Sequence, residues 1–464
     1  MASISWLHLT DLHCGMQGQA VRWPDVKEAL FDDLERLHTK SGPWDLVLFT
    51  GDLTQRGSTE EFAELRKRLD KLWARFGELG SAPMLVMVPG NHDLVRPDAT
   101  EATAALGGWH DRHELRDQFW VDATCPGRRL VRETFGPYVA FERQWRVAHP
   151  PPNNFKDFTL TQGILPGEAS ISFEKDGLRV ALVGLNTAFL HLWGGELSGT
   201  LALEREQLRE VCGDDPPEWL ASHDLALLLT HHPQDWLAPR AKAIVDESIL
   251  ARDRFFAHLY GHMHEARMVR ETTGDSPERR RIQGPSLFGL EHYGTTDETR
   301  VHGYMAGRVS VKEGGGDFHL WPRHAIKTHA GAYKIVPEQA LDLTDEAIAG
   351  SFVPRRSLAP PALSGPSRAA STSLPGTASN APSPAELRAA LCRYFDQTAR
   401  IRMLLNDAGV TLVRIHWAQA VETLWDEVLQ ETTRAGRLPR LMQLAAEEYP
   451  ASAELAALAA RLKG

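Results

Sequence analysis

The sequence predicts an α/β domain carrying a second packed sheet, followed by a separate small all-α bundle. Three observations carry this. Short continuous apolar runs alternate with apolar residues at helical spacing, the mark of strands buried on both faces. From Ala266 onward, short strand-like segments joined by Gly-rich turns add a mixed or antiparallel sheet packed on the first. Beyond Pro354 the composition turns to Pro, Ser, Ala, Gly and Thr, and then to short leucine-rich helices. At 464 residues the chain is too long for one ordinary domain, and its 42% hydrophobic and 24% charged content is that of a globular protein with ample core.

Ile4 to Thr10 reads as the first buried strand and ends at Asp11-Leu12-His13. Pro24 to Lys40 carries Val26, Leu30, Leu34 and Leu37 at helical spacing, with Pro near the first turn. Trp44 to Thr50 is the second strand, ending at Gly51-Asp52. Ser58 as N-cap with Glu61 three residues on opens a helix striped by Phe62, Leu65, Leu69, Leu72 and Trp73. Met84 to Val88 is the third strand, running into Pro89-Gly90-Asn91-His92-Asp93. Residues 94–165 break the rhythm and read as an insertion over the site, helical at Val139 to Val147; the pattern resumes at Ile171. Leu178 to Leu185 is a strand ending at Asn186, Leu203 to Val211 a helix, and Leu225 to Leu229 a strand ending at Thr230-His231-His232. Phe255 to Tyr260 ends at Gly261-His262-Met263-His264. Ala266 to Glu271, Arg280 to Phe288, Tyr304 to Val311 and Phe318 to Pro322 complete the second sheet.

No Asp or Glu occurs between Glu346 and Glu386, and Pro354 to Pro384 reads as a linker. Residues 1–335 form the first domain on this reading, 336–383 an extension and linker, and 384–464 a helical module. Ser383-Pro384-Ala385-Glu386 combines a capping box with Pro at the first helical position. Five stripes follow: Leu387, Leu391 and Phe395; Ile401, Leu404, Leu405 and Ala408, closed by Gly409; Val421, Leu424, Trp425 and Val428; Leu438, Leu441, Leu444 and Ala445; Leu455, Leu458 and Leu462. Trp417 and Trp425 read as core.

The net charge of −10 excludes a wholesale electrostatic grip on nucleic acid but not a local or metal-assisted contact with phosphates. Cys14, Cys125, Cys212 and Cys392 are scattered, which fits a reducing compartment without a disulfide framework. The start of the chain has no basic-then-apolar leader, and no apolar run reaches the roughly 18 residues of a membrane span. The expectation is a cytoplasmic protein without membrane contact.

Five strand ends carry Asp, His or Asn. Singly, Gly51-Asp52 is a turn or an N-cap, and His231 a satisfied core histidine. Gathered at the carboxyl edge of one fold, where α/β proteins bind ligands, such groups leave unpaired sites unless a cation satisfies them. Carboxylate, amide oxygen and imidazole suit a pair of divalent ions, Mn first, then Fe, Zn, Co or Ni. A carboxylate such as Asp52 can bridge two cations, and two ions about 3.5–4 Å apart can clamp a phosphoryl group. His92 diverges from its neighbour Asn91 and is placed to donate to a phosphoryl oxygen or to the leaving group. His92 and Asp93 are the candidate catalytic residues. Arg96, His110, His113 and Arg143 read as solvated surface before phosphate contacts.

Asp11-x-His13, Gly51-Asp52, Gly90-Asn91-His92-Asp93, Thr230-His231-His232-Pro233 and Gly261-His262-x-His264, in that order, resemble the calcineurin-like metallophosphoesterase superfamily over roughly residues 1–330. The resemblance implies a four-layer α/β/β/α sandwich. It implies one ion held by Asp11, His13, Asp52 and His264, a second by Asp52, Asn91, His231 and His262, and His92 as catalytic acid or charge stabiliser. The Ser/Thr phosphatase branch has Asp where this chain has Gln55 and Glu where it has Asp93, so the phosphodiesterase and nuclease branches fit better. Leu387-Arg388-Ala389-Ala390-Leu391, Val421-Glu422-Thr423-Leu424-Trp425 and Gly436-Arg437-Leu438-Pro439-Arg440-Leu441 resemble an effector-associated domain of the first type, a death-fold-like adaptor of bacterial conflict and signalling systems. This implies a protein partner bearing a like domain.

The expected function is hydrolysis of a phosphodiester, in nucleic acid or a nucleotide, by an effector recruited through its adaptor. A cyclic-nucleotide phosphodiesterase or phosphomonoesterase is the alternative enzyme, and an assembly protein with a vestigial metal site the alternative class.

Overall fold

The computed structural model describes residues 2–195, 197–251, 253–271, 278–289, 291–293, 297–299, 302–312, 315–354, 382, 384–394, 401, 404–405, 421–434, 437–448 and 453–462. The chain divides into two compact units, residues 1–363 and 364–464.

The first unit opens with β1 (Ala2–Leu9), α1 (Gln19–Ser41), β2 (Leu46–Thr50), α2 (Thr59–Glu78) and β3 (Met84–Val88). Four short helices follow: α3 (Glu101–Gly107), α4 (His113–Val121), α5 (Pro126–Thr134) and α6 (Gly136–Ala148). Next come β4 (Lys156–Gln162), β5 (Ala169–Lys175), β6 (Leu178–Gly184), α7 (Arg205–Cys212), α8 (Pro216–Ala221), β7 (Leu225–Leu229), α9 (Pro239–Ile244) and β8 (Ala257–Tyr260). The unit closes with β9 (Arg267–Glu271), β10 (Arg279–Gln283), the ribbon β11 (Glu291–Tyr293) and β12 (Asp297–Thr299), β13 (Gly303–Lys312), β14 (Gly315–Lys327), β15 (Tyr333–Pro337) and β16 (Ile348–Phe352).

One sheet runs β15-β14-β13-β1-β2-β3 with β16 also on β14, and the other β4-β5-β6-β7-β8-β10-β9. In each, the central strands are parallel, so their carboxyl ends share one edge. Neighbouring residues of one strand feed different layers. Leu7, Val47 and Phe49 pack under α1, α2 and α6 with Leu34, Leu69 and Trp145. Trp6 and Leu48 face the other way and meet Val180, Leu182, Leu227 and Leu259 between the sheets. Ala181, Val183, Ala226 and Leu228 pack beneath Phe119, Val131, Leu208 and Ile244. These three apolar layers make a four-layer α/β/β/α sandwich, and the double burial explains why the central strands read as unbroken apolar runs.

Several boundaries differ from the sequence reading. Helix α1 starts at Gln19 and carries Pro24 in its interior, because the buried Gln19 amide donates to Leu12 O at 2.6 Å and accepts the Gly15 N–H at 3.1 Å, tying down an earlier start. Residues 94–165 are more than a cover over the site. Helices α3 to α5 fill the outer layer of the second sheet with Leu106, Phe119 and Val131, and α6 stacks Phe141 on Phe62 of α2. Strand β4 precedes Ile171; its exposed, polar residues hid it. The first domain does not stop at 335: β15 crosses that position, and β15 and β16 both pair with β14, burying Ile335 and Ile348.

The second unit contains α10 (Pro384–Tyr394), α11 (Val421–Arg434), α12 (Leu438–Glu448) and α13 (Ala453–Arg461). Leu387, Leu391, Ile401, Leu404, Leu424, Trp425, Leu441 and Leu455 share its core. Most of the expected linker, Ser383, Phe395, Ala408, Gly409 and Trp417 lie outside the described residues. Among the described residues no helix is long and apolar enough to cross a membrane.

Candidate metal centre

The turns after β1, β2, β3, β7 and β8 bring Asp11, His13, Asp52, Asn91, His231, His262 and His264 into one cluster. Five of them sit in the left-handed backbone region: Asp11 (φ 53°), His13 (48°), Asp52 (53°), His262 (72°) and His264 (59°). Each such residue costs on the order of 1–3 kcal/mol, a strain typical of functional sites. Two glycines let the turns close: a Cβ on Gly90 would overlap the Asp52 carboxylate, and one on Gly261 the Thr10 hydroxyl.

The two carboxylates are oriented atom by atom. Asp11 Oδ2 accepts the Thr10 hydroxyl at 2.6 Å and the His262 N–H at 3.0 Å. Its other oxygen, Oδ1, is buried without a hydrogen-bond partner and lies 3.3 Å from His264 Nε2 and 3.8 Å from His13 Nε2. Asp52 Oδ1 accepts the His92 N–H at 2.8 Å, while Oδ2 faces His231 Nε2 at 3.2 Å and His13 Nε2 at 3.9 Å. A single oxygen therefore looks towards both halves of the cluster. His13 Nε2 and His264 Nε2 are 3.4 Å apart in the first half. In the second, His231 Nε2 lies 3.1 Å from Asn91 Oδ1 and 3.2 Å from His262 Nδ1.

This donor set fits a pair of cations. His231 Nδ1 lies 2.8 Å from Thr50 O, which can only accept, so Nδ1 carries the ring proton and Nε2 presents a lone pair. That lone pair confronts an amide oxygen, a carboxylate oxygen and a second imidazole, an arrangement that repels itself unless something positive sits among them. Donor spacings of 3.1–3.9 Å are those of neighbouring ligands on one ion. Half-buried His262 and His264 and buried Asp11, His13, Asp52 and His231 fall in overlapping groups of possible ligands, which also take in His92 and His232. Electrostatics agree. Burial raises the carboxyls of Asp11 and Asp52, but facing imidazoles, His264 for Asp11 and His231 for Asp52, outweigh it and hold both below the usual range. Burial drives His13 down to about 4 and His262, also facing His231, to about 3, leaving neutral ligands. Against burial, Asp52 lifts His231 to about 9, so a proton and a cation compete for its Nε2.

His92 is half-buried beside the first half, its ring edge-on to His13 at 4.8 Å. Its Nδ1 donates to Gln55 O at 2.8 Å, which leaves Nε2 as the working atom. Asp93 points elsewhere. Its carboxylate accepts the N–H groups of Leu53 (3.2 Å), Thr54 (2.8 Å) and Gly90 (2.9 Å) and the Thr54 hydroxyl (3.0 Å). These contacts hold the loop after β2 against the Gly90–His92 turn. The surface candidates Arg96 and His113 are exposed, and His110 contacts Thr200 O.

Sequence reasoning missed the supporting shell of Thr10, Thr50 and Gln55, two of which act through backbone carbonyls that no side-chain pattern reveals. It also missed Trp236, whose ring stands edge-on to His262 at 4.0 Å.

A family profile described as calcineurin-like phosphoesterase matches residues 4–266, and one described as effector-associated domain 1 matches residues 382–463. Over 88 residues the chain is 32% identical to a probable glycerophosphodiester phosphodiesterase GpdQ of Arcobacter nitrofigilis, 19% of this chain and 29% of that protein. Among solved structures, it is similar to a purple acid phosphatase PPD1 from yellow lupin (TM-score 0.36, 12% identity, 80% of this chain and 57% of that one). A putative 5′-nucleotidase from Staphylococcus aureus gives a TM-score of 0.30 at 11% identity, over 74% of this chain and 56% of that one.

Proposed function

The chain belongs to the calcineurin-like phosphoesterase family, and from that premise we propose that it hydrolyses phosphodiester bonds in nucleic acid or nucleotides with two divalent ions, manganese first. One observation carries the two-ion reading: Asp52 Oδ2 faces both donor clusters while Asp11 Oδ1 is left bare in one of them. Asp11, His13, Asp52 and His264 would hold one ion, and Asp52, Asn91, His231 and His262 the other. A cation pair so held supplies a water of lowered pKa and a positive clamp for the phosphoryl group.

The chain's own groups do the rest. Asp52 is fixed by the His92 N–H, so the ligand and the catalytic side chain share one loop geometry. His92, its ring set by Gln55 O, presents Nε2 to a phosphoryl or leaving-group oxygen and, when both ring nitrogens carry a proton, delivers one there. Asp93 keeps the Gly90–His92 turn against Leu53 and Thr54, and so holds His92 in register. Gln55 stands where the Ser/Thr phosphatase branch carries Asp, which supports a diester over a phosphoprotein. The relative named for glycerophosphodiesters supports glycerol-based diesters as a second substrate class.

The effector-associated domain supports recruitment by a protein partner bearing a like domain, and the free cysteines support a cytoplasmic setting. The test is turnover of bis-p-nitrophenyl phosphate against p-nitrophenyl phosphate with added Mn²⁺. Faster turnover of the diester supports this reading. Faster turnover of the monoester replaces it with a phosphomonoesterase, and no turnover of either in a metal-loaded chain leaves an assembly protein. Pull-down by the full chain, compared with a chain ending at residue 363, tests recruitment.

A further inference from the structure

The rim of the metal centre carries an unusual apolar pair. Met263 lies in sequence between the ligands His262 and His264, and it is 45% exposed, one of few large apolar side chains so placed among the described residues. Trp236 ends the short turn Gln234–Trp236 that follows His231-His232-Pro233, and it is half-buried. Its indole stands at 84° to the His262 ring with centroids 4.0 Å apart, and its Nε1–H donates to Met263 Sδ at 3.3 Å. The turn is tied down from behind: Trp236 O accepts the Leu201 N–H at 3.1 Å, and Leu201 O accepts the Ala238 N–H at 2.8 Å. An indole and a thioether thus form one anchored shelf against a metal ligand.

Support for His262 alone would need the indole but not an exposed thioether. Exposing apolar surface there is useful if the substrate covers it. We propose that the Trp236–Met263 shelf takes a flat aromatic ring attached to the phosphate, a nucleobase, so that the site selects nucleotides and nucleic acid over glycerol-based esters. Every base has a π-face, so such a contact is tolerant of sequence, and a polarizable sulfur beside it adapts to rings of different size. This rests on the phosphodiester reading above and deepens it by naming the surface that selects a nucleotide over a glycerol-based ester.

The test measures binding, so it needs no turnover. Calorimetry on the Mn²⁺-loaded full chain compares adenosine 5′-monophosphate with glycerol 3-phosphate, which offer the same phosphate to the ions. The nucleotide should bind about tenfold tighter. Trp236→Ala should cut that preference to within about twofold, and Trp236→Phe, which keeps a ring, should restore most of it. Equal affinity of the two probes in the wild type overturns the proposal. So does a Trp236→Ala chain that weakens both probes equally or loses manganese, since Trp236 would then only brace His262. A nucleotide preference without diester turnover leaves the shelf standing and removes the phosphodiester reading; diester turnover without the preference does the reverse.

Discussion

Within β1, Leu7 and Leu9 lie on extended backbone and are buried in an apolar layer. Asp11 and His13, just beyond, are as deeply buried but adopt left-handed backbone, and their donor atoms face other lone pairs. The same backbone contrast recurs between β2 and buried Asp52, and between β8 and half-buried His262 and His264. The strand interiors gain stability from the apolar residues they bury. Their tips hold strain, and their donor atoms crowd one another in a geometry that rewards a cation. Stability and chemistry are divided along single strands, and the division can be broken from either side.

The largest effect should come from Asp52→Asn. Turnover should fall roughly 10⁴-fold, since the shared oxygen is lost. Added Mn²⁺ at a hundred times its dissociation constant should stabilise the wild type by about 2.7 kcal/mol and the variant by much less, read from thermal unfolding. His92→Ala should lower kcat about 10³-fold with metal content unchanged by mass spectrometry; loss of metal would make His92 a ligand. On the interior side, Leu227→Ala between the sheets should cost about 3 kcal/mol in denaturant unfolding while its folded fraction keeps full metal content. Asp93→Ala should fall between the two classes, losing about 2 kcal/mol along with turnover. Full stability with lost turnover would make Asp93 a catalytic residue and not a positioning one. Smallest of all, Arg388→Ala removes a pair to Asp426 that is 41% and 44% exposed, and should change stability by less than about 0.5 kcal/mol.

The central strands were legible because double burial writes itself as unbroken apolar runs; β3 and β7 match their runs end to end. The Ser58–Glu61 capping box was legible because it is local, and both of its hydrogen bonds form. Polar tips after each run pointed to the cluster, and the family resemblance singled out the seven residues within it that the structure gathers. Edge strand β4 was not, since its solvent-facing side chains lack the apolar signal. Nor were β15 and β16, short segments whose place depends on the open edge of β14. Helices α3 to α5 are brief and take their order from packing on the second sheet. The contacts of Asp93 were not legible either, because a residue type says nothing about the direction of its carboxylate. The left-handed tips were equally hidden: Asp and His tolerate that region, but nothing local demands it.

Electron paramagnetic resonance of the chain titrated with Mn²⁺ tests most directly whether one carboxylate oxygen of Asp52 would join two ions. At two equivalents the spectrum should be that of an exchange-coupled pair, which Asp52→Asn abolishes. Only isolated Mn²⁺ signals in the wild type at every ratio, or a coupled pair that persists without Asp52, would contradict it.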